Sequence, residues 1–99
     1  VKAIWSTNAK LTFIEILQNI EQRFSLKEAE SFYNETFHII SLIERNPYLF
    51  ELNEKHHVRR ALIQHISSLF YEVDDHNKTI QLLTFHHNRM SEDHIKSLL

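Results

Sequence analysis

The chain has no cysteine, no glycine, one proline and no long apolar run. Lacking cysteine, it can form neither a disulfide framework nor a thiolate metal site, so any transition-metal site would depend on histidine alone. A reducing, cytoplasmic setting fits that composition. Lacking glycine, it has no Gly-rich phosphate loop of either the dinucleotide or the Walker type, because both need backbone without a Cβ close to phosphate. Nucleotide-cofactor enzymes of those kinds are excluded. Apolar runs such as Ala61-Leu62-Ile63 fall far short of the roughly 20 residues that cross a bilayer.

What remains is a 99-residue chain with 42% hydrophobic and 24% charged residues. That suffices for one folded domain over residues 1–99 and argues against wholesale disorder. Charge is uneven along it. Residues 1–54 carry five Lys/Arg against eight Glu, a net −3, while residues 55–99 carry six Lys/Arg against five acids, a net +1, with seven of the eight histidines. Cationic potential therefore gathers late in the chain and grows as pH falls through the histidine range.

Lys2-Ala3-Ile4-Trp5 favours a strand, and Ser6 or Thr7 then caps a helix. Phe13, Ile14, Leu17, Ile20 and Phe24 follow at helical spacing as its apolar stripe. Ser25-Leu26-Lys27-Glu28 is a capping box that opens a second helix, with the stripe Ala29, Phe32, Tyr33, Thr36, Ile40 and Ile43, closed by Asn46-Pro47. So short a link makes the two helices an antiparallel hairpin. After an irregular stretch from Pro47 to Lys55 the period changes to two. Residues 57–63, 69–73 and 79–85 read as three strands of an antiparallel meander, with Asn77 as the left-handed residue of the second turn. Ser91 caps a short C-terminal helix. The fold class is α+β, a helical hairpin packed on one face of a mostly antiparallel four-stranded sheet.

Several residue types invite chemistry. Arg59 and Arg60 are adjacent on a strand, so they point to opposite faces and only one can serve a given concavity. His56-His57 and His86-His87 suggest zinc, but each adjacent pair offers one ligand per face, and neither HExxH nor a Cys/His spacing occurs; no metal and no cofactor is expected. Most aromatics sit at core spacing. Tyr48, Phe50 and Tyr71 are the exceptions, two in a loop and one expected toward the open side of the sheet.

The element order, with Ile4-Trp5-Ser6 running into a helix containing Ala9, Asn46-Pro47 after the second helix, Val58-Arg59, Leu69-Phe70-Tyr71-Glu72-Val73, and Ile80-Gln81-Leu82-Leu83 followed by His86-His87-Asn88-Arg89, resembles the RelE/ParE toxins of type II toxin–antitoxin systems. The resemblance covers nearly the whole chain. It implies a growth-inhibiting bacterial toxin, often serving plasmid stabilisation, held silent by a cognate antitoxin. The target implied is DNA gyrase for the ParE branch, or messenger RNA in the ribosome for the RelE branch. RelE-type cleavage needs no metal; cations stabilise the developing phosphorane charge and a late tyrosine or histidine moves protons. Carried onto this sequence, the nuclease set is Arg59, Arg89 and His87, and the surface that binds target or nucleic acid is Lys55, Arg59, Arg60 and Arg89. Two departures favour the ParE-like side. Ser67-Ser68 stands where RelE-type nucleases carry an arginine, and no tyrosine follows Tyr71.

Overall fold

The computed structural model describes residues 1–88. The expected C-terminal helix from Ser91 and the candidate Arg89 lie outside the described residues. In chain order the elements are β1 (Lys2–Trp5), α1 (Thr7–Arg23), α2 (Leu26–Arg45), β2 (Glu51–Asn53), β3 (Val58–Ile63), β4 (Ser67–Asp74) and β5 (Thr79–His87). The sheet order is β1-β5-β4-β3-β2, parallel between β1 and β5 and antiparallel elsewhere.

The sheet has five strands, not four. The extra one is β2, three exposed residues in the stretch read as irregular. Glu51, Leu52 and Asn53 gain strand geometry by pairing with Arg60, Arg59 and Val58, a stabilisation that period-2 apolar patterning does not encode. β4 likewise begins at Ser67 rather than Leu69, because Ser67 and Ser68 pair with His87 and His86.

Both helix starts follow from capping chemistry. The hydroxyl of Ser6 accepts from the Ala9 amide at 2.9 Å and that of Ser25 from the Glu28 amide at 3.1 Å, each satisfying an amide the first turn leaves without a partner. Asn46 ends α2. The helices cover one sheet face, and the core joins Phe13, Ile16 and Ile20 of α1 and Phe32, Ile40 and Ile43 of α2 to Ala61, Ile63, Leu69, Tyr71, Ile80, Leu82 and Phe85 of the sheet. Trp5 closes one end, stacked on Phe85 at 5.6 Å and tilted against Phe13 at 5.4 Å.

The buried face of α1 is rotated from the expected stripe. Ile16 is buried, whereas Ile14 and Phe24 are exposed, and Tyr33 and Phe37 of α2 are exposed with them. Periodicity identified the helices, but their rotation was set by the sheet, which reaches only one side of the hairpin.

Turn geometry also departs from expectation. Lys78, not Asn77, takes the left-handed backbone in the β4–β5 connection, with φ 54°. Asn77 is held instead by Asp74, whose carboxylate accepts from the Asn77 amide at 3.1 Å and from its side-chain Nδ2 at 2.8 Å. These bonds keep the Asp74 pKa below its ordinary value. At the β3–β4 turn both Gln64 and His65 are left-handed, and the Ile66 amide closes onto the Ile63 carbonyl at 3.0 Å.

A register shift beside Phe70 and Tyr71, with Leu83 the extra residue on β5, is secured by α1 and its N-cap. The Ser6 hydroxyl donates to the Leu83 carbonyl at 2.9 Å, and the Thr12 hydroxyl accepts from the Phe85 amide at 2.9 Å. Such a bulge interrupts the ladder, and side chains from the helix take up the polar groups it frees.

Candidate functional site

The neighbouring residues Arg59 and Arg60 part company at β3. Arg59 lies on the helix side of the sheet, where its guanidinium donates to the carbonyls of Phe50 at 2.7 Å and Tyr48 at 3.3 Å. It also sits 5.2 Å from the centre of the Tyr48 ring. The Tyr48 hydroxyl in turn donates to Asp75, which raises its pKa above the usual phenol value. Arg59 thus ties the loop after α2 to the sheet.

Tyr71 belongs to this same structural knot. Rather than facing the open side, it is buried, and its hydroxyl donates to the Pro47 carbonyl at 3.0 Å. Burial pushes its pKa up, against the opposing pull of Arg59. Its cross-strand partner is Arg59, so the strand's alternation turns both toward the helices.

Arg60 faces the other way. On the uncovered face a concavity of about 530 Å³ is lined by Glu51, Asn53, His56, Val58, Arg60 and Phe70. The Arg60 Nε donates to the Ser68 hydroxyl at 2.8 Å, and that hydroxyl donates on to the Asn88 side-chain carbonyl at 3.2 Å. Register sets Glu51 beside Arg60 on β2 and Phe70 beside it on β4. Ser68 pairs with His86 and Ser67 with His87, so His86 shares the face of Arg60 while His87 takes the opposite one. Lys55 is exposed in the β2–β3 turn. The uncovered face therefore gathers Arg60, His86 and Ser68, and it separates Arg59 and His87 from them.

In the sequence Ser68, Phe70 and Asn88 stand only as motif positions, and nothing marks Glu51. Period-2 reading from Ser67 onward would have found the first two, since Ser68, Phe70 and Glu72 alternate with buried Leu69 and Tyr71. Glu51 and Asn88 carry no such signal. Among the described residues, no group of three or more His, Asp or Glu converges to hold a metal, and no helix is long and apolar enough to cross a membrane.

The two-helix hairpin over one face of a five-stranded, mostly antiparallel sheet with a parallel N-terminal strand matches a ParE-like fold. Among solved structures, a chain from the chromosomal ParDE toxin–antitoxin system of P. aeruginosa superposes with a TM-score of 0.73, over 88% of this chain and 95% of that one. The two share 14% of their residues, so the likeness is one of fold. No family model and no curated protein matches the sequence.

Proposed function

We propose that this chain is the toxin half of a bacterial toxin–antitoxin pair, silenced in the cytoplasm by a cognate antitoxin that lies in a groove of the helices and along the sheet. Its target in this reading is DNA gyrase rather than messenger RNA. Carrying most weight is the division of the two arginines. Charge stabilisation of a phosphorane calls for several cations around one hollow. Here Arg59 is spent on loop carbonyls, and Arg60 is held by Ser68 with Glu51 as its cross-strand neighbour. A hollow lined by one guanidinium, the Glu51 carboxylate, His56 and the Phe70 ring, with His86 on the same face, suits recognition of a protein surface better than cleavage of RNA.

The second reading, a ribosome-dependent endoribonuclease, draws on Arg60 and His86 sharing one face, with Arg89 beyond the described residues. Expression without antitoxin separates the two. The gyrase reading expects growth arrest, inhibited supercoiling, DNA-damage signalling and intact messages. Codon-end cuts in messenger RNA that vanish in Arg89→Ala would replace it with the nuclease reading. Harmless expression would leave a toxin-fold binding module.

A further inference from the structure

Two hollows on the outer face of the helical hairpin meet at Ile14. One includes Leu17, Glu21, Leu26, Glu30 and Tyr33, the other Trp5, Lys10 and Phe37. Together they make one apolar crease whose ends differ in sign, with Lys10 at one end and Glu21 and Glu30 at the other. Ile14, Tyr33 and Phe37 are 48%, 45% and 41% exposed, a contiguous group of large apolar side chains of the kind that marks an interaction surface.

The order of residues along the crease is self-complementary. Lys10, Ile14, Leu17 and Glu21 step by four, three and four, which places them within about 60° of one another around α1. Read in either direction, the row is charge, apolar, apolar, opposite charge. A two-fold axis crossing α1 between residues 15 and 16 sets Ile14 against the partner's Leu17 and Lys10 against the partner's Glu21, and each contact occurs twice. Helix α2 repeats the spacing with Leu26, Glu30, Tyr33 and Phe37. The helices are level where the Phe13 ring lies 5.9 Å from Tyr33 and 6.1 Å from both Phe32 and Phe37. The same axis therefore crosses α2 near residues 31 and 32, placing Leu26 on the partner's Phe37 and Glu30 beside the partner's Tyr33 hydroxyl. Both helices thus meet one symmetry operation with apolar on apolar and donor on acceptor.

We propose that this outer face is an isologous interface on which a second copy of the chain docks antiparallel. The interface rests on the crease alone; in the toxin reading the antitoxin and the second copy compete for this groove of the helices. An amphipathic helix from another protein is the competing occupant, and it would leave the isolated chain monomeric.

Sedimentation equilibrium of the full chain, made by cell-free synthesis, tests the proposal. A monomer–dimer equilibrium is expected for the wild type. Lys10→Glu and Glu21→Lys should each weaken it about tenfold or more, since every dimer then carries two like-charge contacts. Mixing the two variants should restore association, because both contacts of the mixed pair are of opposite sign. Unchanged circular dichroism shows that neither exposed substitution has disturbed the fold. A wild type that stays monomeric at every concentration, a dimer indifferent to both charge reversals, or a mixture that fails to recover would each overturn the interface.

Discussion

The two faces of the sheet use the same kinds of residue for opposite ends. Toward the helices, Leu69, Tyr71, Ile80, Leu82 and Phe85 are buried, and Arg59 has become a structural tie whose guanidinium is occupied by backbone carbonyls. Toward the open side, Phe70 is only half-buried and Leu62 and Ile4 are exposed. There Arg60 rests on a hydroxyl beside a hollow. One peptide unit separates the two arginines. Residue type assigned neither role; the pleat did, by turning one side chain into the packed layer and the next one out of it.

That contrast is open to direct measurement, and the largest effect belongs to the packed side. Phe32→Ala, at a fully buried position, should destabilise the fold by about 3–5 kcal/mol. Phe70→Ala should cost less than half as much, and equal losses in urea titrations would mean that the open face is core after all. The arginines come next. Arg59→Ala removes two charge-assisted hydrogen bonds and a ring contact, for an expected loss of about 1–2 kcal/mol. Arg60→Ala should stay within about 0.5 kcal/mol of wild type while weakening the growth inhibition that the toxin proposal expects. A reversed order of stabilities would exchange the roles assigned to the two faces.

Tyr71→Phe is a smaller change, about 1 kcal/mol, because it leaves the Pro47 carbonyl without its buried donor. It also carries a pH signature. Burial raises the folded-state pKa of Tyr71 above the ordinary 10.0, so the protonated phenol is favoured by folding. Its contribution is complete below pH 10 and is lost as pH rises through the folded pKa. Urea midpoints of the wild type should therefore fall more steeply above pH 10 than those of Tyr71→Phe. Lys78→Gly tests a position on neither face. At φ 54° a side chain costs on the order of 1 kcal/mol that glycine avoids, so a gain of up to about that size is expected in thermal melts.

Much of the architecture was legible beforehand. Ser6 and Ser25 announced their helices because an N-cap hydroxyl acts within one turn, and the β-rich runs of β3 to β5 declared themselves by alternation. Other features were not. β2 has no apolar pattern and exists because β3 offers an edge. The Leu83 bulge depends on Ser6 and Thr12, over 70 residues away in sequence. Tyr71 reads in sequence as a residue of the open face, yet it is buried with its hydroxyl donating to the Pro47 carbonyl. The candidate site shares this division, since alternation alone said that Arg59 and Arg60 must separate but not which one would face outward.

By itself, the sequence determined a cysteine-free and glycine-free α+β domain with a capped helical hairpin and a meander of strands, because capping and periodicity are local and short-ranged. Tertiary structure alone decided which arginine remained available, which side of each helix stayed bare and where the fifth strand formed. Those outcomes depend on which face of the sheet the hairpin covers, and that choice is made by packing between segments far apart along the chain.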